Sequence, residues 1–424
     1  MHFDCRVALR NHGRIDPRDI NAYIATGQGY SGLRHALELG PEGVIQELRA
    51  SGLRGRGGAG YPTALKWQSC HDAEGEAKYA VCNAVDADPR ARTARVLLGS
   101  DPHSVLEGLV IGAYAVGAAH CFVGVNADHG AEIGLVQEAL GQMRRYGLLG
   151  GDILQSGFSC EIEIREIPGS LVAGEETALL RALEGRQPLP YLRFEYPSVK
   201  GLHGLPTLIH SAETLANVSA IFQKHPAVAG AKGGGKSEGT KIITLSGSPG
   251  HDTTVEVPFG TTMRTVIEEV GGVGPGDTHT TVAQFGGPTG ALFTGDSLDT
   301  PITYEDLGAA GSAMGSAGIQ VLSSDACAVE TARDIMSYLR DQSCGKCVVC
   351  REGTYQVVEI LNDIVECRAE TADMELLLEL SEAIRTGSIC GLGKAACVPV
   401  LSSIKLFSAD FDSHINDKRC VPKA

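Results

Sequence analysis

Four cysteines near the carboxyl terminus have the spacing of iron–sulfur ligands. Cys344, Cys347 and Cys350 recur at every third residue, and Cys390 follows in a second segment. Thiolates bind iron–sulfur clusters, and four of them complete a [4Fe–4S] centre. A structural zinc site is the alternative, but its ligands usually come as two separated pairs. The spacing therefore favours a cluster.

The residues around the first three cysteines also suit a cluster. Gly345 leaves room for the backbone to approach the inorganic sulfides closely. Lys346 and Arg351 place positive charge beside a group that carries net negative charge. Because positive charge stabilises the more negative reduced state, we expect these two side chains to raise the reduction potential of the cluster.

A glycine-rich loop within residues 51–67 suits an anionic ligand. Its glycines include Gly55, Gly57, Gly58 and Gly60. They formally satisfy the G-x-G-x-x-G pattern, but that pattern binds dinucleotides when a strand precedes it, and the preceding segment here is predicted to be helical. Exposed backbone N–H groups flanked by Arg54, Arg56 and Lys66 are nevertheless expected to bind a phosphate. A plain glycine turn is the alternative.

Composition and charge exclude several classes of protein. The chain has 424 residues, enough for two or three domains with full cores, and 43% of them are hydrophobic. A formal net charge of −15 argues against nucleic acid as a partner. The 13 cysteines lack the density of a disulfide scaffold, so together with the cluster motif they indicate a reducing, cytoplasmic compartment.

Direct insertion into a membrane is not expected. Residues 1–11 are polar and contain no apolar signal core. The longest apolar run, near Val105–Ala118, contains Glu107 and is too short to span a bilayer, so it is predicted to be a buried helix. Any contact with a membrane is therefore expected to come through a partner.

The first half of the chain alternates between strands and helices. Strands are predicted at Tyr79–Ala84, Cys121–Val125 and Ser159–Arg165, with helices at Leu106–Ala118 and Ala131–Tyr146 between them. This alternation implies a mainly parallel sheet that is covered by helices. We therefore predict an α/β domain with a helical lead-in at residues 1–230.

The character of the chain then changes twice. Residues 230–239 have the composition of a linker, and their G-K-S lacks the earlier glycine that a phosphate-binding loop requires. Short strands with glycine turns follow at Lys241–Leu245, Thr254–Val257 and Val282–Phe285, which predicts a β-grasp-like domain at residues 240–328. Amphipathic spacing beyond them predicts a helical domain with the cluster at residues 329–424.

Motifs spread over about residues 8–420 resemble the flavin-bearing, NADH-oxidising subunit of respiratory complex I and its soluble relatives. Those relatives occur in NAD-linked hydrogenases, formate dehydrogenases and electron-bifurcating complexes. The motifs are Gly52–Trp67, Cys82–Pro89, Gly174–Leu180, Gly201–Asn217, Ser343–Gly353 and Ser388–Pro399. The resemblance implies an α/β fold: a Rossmann-like FMN domain, then a ubiquitin-like β-grasp domain, then a helical bundle that carries one [4Fe–4S] cluster.

The resemblance also implies a function. Hydride passes from NADH or NADPH to FMN, which accepts two electrons and releases them one at a time through the cluster. The expected partners are a small [2Fe–2S] subunit with a thioredoxin-like fold and further redox subunits of a larger complex. The alternative is a non-catalytic electron-relay subunit that keeps the cluster and has lost flavin or nucleotide binding.

Positions that match the family's motifs give the candidate site residues. The cluster ligands implied are Cys344, Cys347, Cys350 and Cys390. The residues implied to line the FMN pocket are the four loop glycines, Lys66, Asn83, Gly174, Glu175, His210 and Ser211. Glu176 is expected to contact the nucleotide, and Asp86 is the acid that remains near the flavin ring, so these two are the candidate catalytic residues.

The flavin pocket departs from the family pattern, whereas the cluster motif is intact. Val85 stands where the family usually has an acid, Leu171 where it has a tyrosine, and His210 and Ser211 where two asparagines reach FMN. These changes fit three alternatives: a site for a more anionic nucleotide, a lost nucleotide site, or neutral drift around an NADH site.

Two arginines in the same region bear on the choice of nucleotide. Arg90 replaces a glycine of the family pattern, and Arg92 adds a second positive charge. A site with more arginines and fewer carboxylates repels a 2′-phosphate less, so some tolerance of NADPH is expected.

A further metal site is implied near the C-terminus. Some electron-bifurcating relatives bind zinc there, and Cys327, His414 and Cys420 match three of the ligand positions. Cys397 is the expected substitute for the fourth ligand. Cysteines and a histidine with no metal are the alternative.

Overall fold

The computed structural model of the protein describes residues 6–230, 237–247, 252–274, 281–322 and 326–420. Most of the predicted glycine-rich linker therefore lies outside the described residues. A parallel sheet comes first along the chain, then a mixed sheet, and then a run of helices. This order confirms the predicted α/β class with a helical C-terminal part.

Four parallel strands form the first sheet: β1 (Tyr79–Ala84), β2 (His120–Asn126), β3 (Glu161–Ile167) and β4 (Thr207–Ser211). Their order across the sheet is β3-β2-β1-β4. The sequence predicts the first three, of which only the β3 segment is predicted from alternation, whereas the short, buried β4 is not predicted. Asn83 of β1 pairs in register with Ser211 of β4, so both lie at the carboxyl edge of the sheet.

Helices pack around this sheet. They are α1 (Ile20–Ile24), α2 (Ser31–Ala50), α3 (Thr63–Asp72), α4 (Thr93–Ser100), α5 (Pro102–Val116), α6 (Gly130–Arg145), α7 (Glu176–Leu183), α8 (Ala212–Phe222) and α9 (Pro226–Gly230). Ala80 and Cys82 of β1 belong to the core that contains α5, whereas Val81 belongs to a second core with Leu179 of α7. Neighbouring residues of β1 thus point into different cores, and the sheet is buried on both faces.

The apolar run near Val105 is the buried helix α5, as predicted. Its Glu107 is fully buried, and burial raises the pKa of this carboxyl group. The carboxylate accepts hydrogen bonds from Tyr23 Oη at 2.6 Å, Gln223 Nε2 at 2.6 Å and the Leu33 amide at 2.9 Å. These partners satisfy the buried group and connect α5 to its neighbours in the core.

Five strands form the second sheet: β5 (Thr240–Ser246), β6 (Thr253–Pro258), β7 (Val282–Phe285), β8 (Ala291–Thr294) and β9 (Gly318–Leu322). Their order is β6-β5-β9-β7-β8, and β5 and β9 are parallel. Two helices accompany them, α10 (Met263–Glu269) and α11 (Tyr304–Ala309). This topology is the predicted β-grasp, although the short strands β8 and β9 are not foreseen from the sequence.

The C-terminal part is helical, as predicted. Its helices are α12 (Ala328–Asp341), α13 (Val348–Val365), α14 (Thr371–Gly387), α15 (Gly391–Ala395), α16 (Val398–Leu406) and α17 (Ser408–Ile415). Over the described ranges, no single helix is long and apolar enough to cross a membrane. One bent pair of segments, Gly391–Leu406 followed by α17, has the length and composition of a membrane span only when both segments are counted together. The chain bends by 87° between them.

Candidate functional site

The four predicted cluster cysteines converge around the starts of α13 and α15. Cys347 immediately precedes α13, Cys350 lies in its first turn, and Cys390 immediately precedes α15. The pKa of the Cys350 thiol is raised to about 11, first by burial and then by the nearby Cys347, Cys390 and Cys344. Crowded thiols of this kind become thiolates when a cation compensates their charge, and the iron of a cluster supplies that charge.

The spacing of these sulfur atoms distinguishes a cluster from a single zinc ion. Tetrahedral zinc with bonds of about 2.3 Å needs sulfur atoms roughly 3.8 Å apart. Among the described residues, three ligand atoms all within 4.8 Å of one another occur at Cys327, His414 and Cys420, and not among the four cluster cysteines. The wider spacing of the four favours a [4Fe–4S] core over the zinc alternative.

The charges predicted to raise the cluster potential are exposed or compensated. Arg351 Nε donates to Glu352 Oε1 at 2.8 Å, and its Nη1 donates to the Gly345 carbonyl at 2.8 Å. Lys346 is exposed to solvent. Because exposed and paired charges are screened by water, the effect of these side chains on the potential is weakened, and it stays a prediction.

A cavity of about 260 Å³ lies between the first sheet and the second. It is bounded by the carboxyl ends of β1 and β4, the first turns of α4 and α8, and the turn at Gly315 and Ser316. The predicted site residues in its wall are Gly57, Asn83, Asp86, Gly174 and Ser211. The carboxyl edge of an open parallel sheet is the usual place for a ligand, so this cavity is the candidate flavin site.

Internal contacts hold the predicted residues at the cavity wall. Asn83 Nδ2 donates to the Gly174 carbonyl at 2.9 Å, and the Ser211 hydroxyl caps α8 by accepting from the Thr214 amide at 3.3 Å. A Cβ on Gly174 would stand 3.0 Å from the Ala87 Cβ, so glycine is needed for this close approach. The wall is therefore ordered before any ligand binds.

Two buried donors in the wall have no partner within the described part of the chain. They are Arg56 Nε and Thr93 Oγ1. Buried polar atoms in native proteins are nearly always hydrogen-bonded, so both atoms indicate a missing acceptor. A guanidinium group and a hydroxyl at the first turn of α4 suit a phosphate. The residues present thus fit FMN, and Thr93 is one that the sequence analysis did not identify.

The Asp86 carboxylate faces the cavity and also caps α4. Asp86 has a φ of 41°, in the left-handed region, and its Oδ2 accepts from the Arg95 amide at 2.9 Å. Burial raises the pKa of Asp86 to about 7, although the Arg95 and Ala94 N–H groups and the Lys241 charge lower it. A carboxyl group that titrates near neutrality can hold or release a proton, which suits a candidate catalytic residue.

Two N–H groups of the glycine loop are already bonded within the protein. The Gly55 amide donates to the Tyr61 carbonyl at 2.9 Å. The Arg56 amide donates to Thr214 Oγ1, also at 2.9 Å. These groups are not available to a phosphate, so the loop does not present the continuous row of free N–H groups that its composition suggests.

The loop glycines instead allow close packing against the second sheet. A Cβ on Gly58, whose φ is 126°, would stand 3.1 Å from the Gly315 carbonyl oxygen, and one on Gly60 would stand 2.7 Å from the Tyr304 ring. Gly57 is the loop glycine that lines the cavity. The glycines are therefore needed mainly for the contact that closes the cavity.

The basic residues that flank the loop are paired as well. Arg54 Nη1 donates to Glu305 Oε1 at 2.6 Å and lies over the Tyr304 ring at 4.3 Å. Lys66 Nζ donates to Glu176 Oε1 at 2.5 Å and to the Ile209 carbonyl at 2.9 Å. Of the three, only Arg56 lines the cavity; its Nη1 and Nη2 donate to the Arg54 and Glu238 carbonyls, which leaves Nε for a phosphate.

The two adjacent glutamates have different environments. Glu175 caps α7, because its Oε2 accepts from the Thr177 amide at 2.9 Å and the Ala178 amide at 3.0 Å. Glu176 bridges Lys66 to Arg193, whose Nη1 lies 3.1 Å from Glu176 Oε2. Glu175 therefore has a structural role as a helix cap, its contact with FMN stays a prediction, and Glu176 belongs to a charged face.

An exposed aromatic segment adjoins this charged face. Phe194 is 97% exposed and Tyr196 is 70% exposed, next to Arg193 in the chain. Tyr61, at 56% exposure, precedes the helix α3 that carries Lys66. Aromatic rings beside cations are groups that bind the base and phosphates of a nucleotide.

His210 is buried and does not line the cavity. Its Nε2 accepts a hydrogen bond from the Trp67 indole at 2.8 Å, and its pKa is lowered by burial and by the charge of Lys66. His210 is thus a neutral core residue that holds the single tryptophan. The predicted flavin contact at this position is not made by its side chain, which points to Trp67.

The substitutions that suggested NADPH lie away from the charged face. Val85 is fully buried in the core with Leu179. Arg92 Nη2 pairs with Asp252 Oδ2 at 3.0 Å, and the Arg90 guanidinium bonds to Gln320, so both arginines contact the second sheet. The expectation that these arginines favour a 2′-phosphate stays a prediction, and their pairing with Asp252 and Gln320 does not support it. Of the substituted positions named above, Leu171 and Ser211 line the cavity.

The predicted zinc ligands lie together. His414 Nε2 lies 3.3 Å from Cys327 Sγ, and His414 Nδ1 lies 3.0 Å from the Ile364 carbonyl, which fixes the ring so that Nε2 faces the thiols. Cys420 Sγ completes the group within 4.8 Å. Cys397 is buried in the helical core beside Ser381, so the expectation that it provides a fourth ligand is wrong.

Other residues at the cavity are apparent only in the structure. Glu213, Lys241 and Ser316 line it, although they are far apart in the chain. Ser316 Oγ donates to Asp88 Oδ2 at 2.6 Å, which connects the second sheet to the loop after β1. In the sequence, the one feature that could have indicated a site here is Glu213 in the first turn of a helix that follows a strand. This feature does not specify a ligand.

Comparison with known proteins agrees with this arrangement. A family model described as the Nuo51 FMN-binding domain matches residues 48–220, and one described as the NADH-ubiquinone oxidoreductase-F iron-sulfur binding region matches residues 330–414. The NADP-reducing hydrogenase subunit HndC of Solidesulfovibrio fructosivorans is 40% identical over 98% of this chain and 84% of its own length. A subunit of the NADH-quinone oxidoreductase of Streptomyces coelicolor is 37% identical over 93% of this chain and 87% of its own length.

A solved structure has the same fold. The NAD+-reducing [NiFe]-hydrogenase in the H2-reduced state superposes with a TM-score of 0.80 at 28% identity, over 90% of this chain. The chain spans 64% of the length of that hydrogenase chain. These matches and the geometry of the two sites lead to one conclusion. The protein belongs to the family of FMN- and [4Fe–4S]-binding oxidoreductase subunits that admit electrons from NADH into complex I-like or hydrogenase complexes.

Proposed function

We propose that FMN binds in the cavity between the two sheets, with its phosphate held by Arg56 and Thr93. The observation that supports this placement is the pair of buried, unpartnered donors at the wall that also holds Asn83 and Ser211. Bound FMN supplies hydride acceptance and the release of single electrons toward the cluster.

The residues of the cavity have distinct roles in this proposal. Asn83 presents a fixed amide, because Gly174 holds its side chain. Leu171 replaces a polar side chain of the family pattern with an apolar one and excludes water from the wall. Asp86 holds or releases a proton near neutral pH, since burial raises its pKa to about 7.

The nucleotide is proposed to bind at the charged face formed by Lys66, Glu176 and Arg193. Two cations there can pair with phosphates once Glu176 turns to the ribose, and the exposed Phe194 and Tyr196 offer rings for the base. The relatives include proteins named for NADP as well as for NADH, so either nucleotide is a candidate substrate for this chain.

Flavin binding is tested by removing one hydroxyl at the cavity. Thr93→Val is expected to weaken FMN binding by about tenfold, because that factor corresponds to the free energy of one hydrogen bond to a charged group. Thr63→Val is the matched control, because Thr63 Oγ1 is also buried and unpartnered but is not among the cavity-lining residues. Extracted flavin and fluorescence titration with FMN give the measurement.

Three outcomes are informative. Weaker binding in Thr93→Val alone supports the cavity. Equal FMN binding in both variants and in the wild type places the phosphate elsewhere. A wild-type protein that contains a full cluster but binds no FMN, even when purified with its partners, supports the electron-relay alternative instead.

The partner is proposed to include a small thioredoxin-fold [2Fe–2S] subunit, as the resemblance implies. Val348 is 60% exposed beside Cys347, so the chain offers an apolar surface next to the cluster. A reducing, cytoplasmic compartment is proposed because every described cysteine is unbridged. Copurification under mild conditions, with subunits identified by mass, tests both the partner and its fold class.

A structural zinc ion is proposed at Cys327, His414 and Cys420. The close approach of three soft ligands and the orientation of His414 support it. Removal of metal by a chelator is expected to lower the melting temperature, because binding free energy of a structural metal adds to folding. Metal analysis of Cys420→Ser against Cys397→Ser is the test; equal zinc content in both, or none in the wild type, contradicts the site.

A further inference from the structure

One buried hydroxyl near the cluster cysteines lacks a partner among the residues that the structure describes. Ser388 is 4% exposed, and its Oγ is shielded from solvent without a hydrogen bond. An unbonded hydroxyl in the interior costs roughly 1–3 kcal/mol. The protein groups around Ser388 Oγ therefore supply no acceptor, and a bound group next to it can do so.

Ser388 lies close to two of the proposed cluster ligands, Cys390 and Cys350. Ser388 follows the last residue of α14 and comes two residues before Cys390. From the point where a Cβ on Gly393 would stand, Ser388 Oγ is 2.8 Å away and Cys350 Sγ is 3.3 Å away. The hydroxyl and this cluster ligand therefore adjoin the same space beside Gly393, although no hydrogen bond joins them directly.

Other neutral donors approach the same ligands. Ser343 Oγ lies 3.6 Å from Cys350 Sγ. The N–H groups of Gly393 and Leu392 are directed at the Cys390 thiol and lower its pKa against the dominant effect of burial, which raises it. Arg351 is paired and Lys346 is exposed, so water screens the effect of both charges on the sulfur atoms.

We propose that the Ser388 hydroxyl donates a hydrogen bond to a sulfur of the cluster and thereby raises its reduction potential. The inference rests on the placement of the cluster at Cys344, Cys347, Cys350 and Cys390. A reduced cluster carries one more negative charge than the oxidised one, so a hydrogen bond to its sulfur is stronger in the reduced state. Ser388 is therefore a positioning residue for electron transfer, since it sets how readily the cluster accepts an electron.

The test is an EPR-monitored redox titration of the full chain with its cluster in place. Ser388→Ala is expected to keep its iron and to show about a tenfold lower ratio of reduced to oxidised cluster at a fixed applied potential, which is 59 mV for a one-electron couple. Ser388→Thr keeps a hydroxyl and is expected to restore the wild-type potential.

Ser381→Ala is the matched control. Ser381 is buried in α14, the helix that ends just before Ser388, and its Oγ donates to the Leu377 carbonyl at 2.8 Å, so its removal is expected to leave the potential unchanged. A Ser388→Ala protein with full iron content and the potential of the wild type overturns the inference. The placement of the cluster at the four cysteines is tested by a different variant. It is wrong if Cys347→Ser retains all of its iron and its EPR signal.

A second variant covers the case in which Ser388→Ala does not load iron. Ser388→Cys fills the same space with a weaker donor, so its potential is expected to lie below that of the wild type. An unchanged potential in Ser388→Cys overturns the inference as well.

Discussion

The ammonium group of Lys241 donates a hydrogen bond to the carboxylate of Glu213 at 2.5 Å, and both side chains are at most 2% exposed. Glu213 lies in the first turn of α8 below the first sheet, and Lys241 lies on β5 of the second. Glu213 Oε1 also accepts from the Ile242 amide at 2.8 Å. This buried pair joins the two sheets at the wall of the flavin cavity.

Lys241→Met is expected to destabilise the protein by about 3–5 kcal/mol, because it leaves a buried carboxylate without its counter-charge. The double variant Lys241→Met with Glu213→Leu removes both charges and is expected to recover most of that loss. Denaturant midpoints of the three proteins give the comparison. A single variant as stable as the wild type would show that the pair does not hold the sheets together.

Asp86 predicts a pH dependence of stability. Burial raises the pKa of Asp86 from 3.8 to about 7 in the folded chain, so between these values the folded state binds the proton and the unfolded state does not. The contribution of Asp86 is therefore most favourable below about pH 4 and falls as the pH rises to about 7, by about 1.4 kcal/mol per unit.

The matched variant for this effect is Asp86→Asn, which cannot titrate. Unfolding midpoints of the flavin-free wild type and variant, measured from pH 4 to pH 8, are expected to show a shallower decline in the variant. Parallel curves over the whole range would contradict a raised pKa at Asp86.

The cluster assignment predicts a specific loss of iron. Cys347→Ser removes one of four ligands and is expected to lower iron and sulfide content and to remove or alter the reduced-state EPR signal. Cys397→Ser changes a thiol that is buried in the helical core beside Ser381, and it is expected to leave iron unchanged. Equal iron in both variants would show that Cys347 is not a ligand.

The charged face predicts which residues select the nucleotide. Glu176→Gln removes a negative charge between Lys66 and Arg193 and is expected to shift the ratio of kcat/KM toward NADPH by about tenfold, or 1.4 kcal/mol, because a 2′-phosphate is repelled less. Arg92→Gln is the control, since Arg92 pairs with Asp252 on the second sheet. Dye reduction by the intact complex measures both ratios. A changed preference between NADH and NADPH in Arg92→Gln alone would instead support the expectation that the arginines select the nucleotide.

Local patterns in the sequence were sufficient for much of the fold. The sequence predicted β1, β2 and β3, the last of them by alternation, and the apolar run around Glu107 predicted the buried helix α5. The strands that were missed are β4, β8 and β9, which have only four or five residues each. A segment this short shows too little of a period for alternation to be detected.

The sequence by itself determined the family, and it gave the cluster ligands as a hypothesis. Both follow from local patterns with strong chemical constraints, namely closely spaced cysteines and the glycine loop. Only the tertiary structure decided that Glu175 caps a helix, that His210 holds Trp67, and that Thr93 and Lys241 line the cavity between the two sheets. The physical reason is that a polar side chain finds its partner through the packing of the fold. The ends of strands and the first turns of helices that meet in space determine which side chains are close enough to bond. Residues as far apart as Asn83 and Ser211 become neighbours through the register of parallel strands, which no local pattern records.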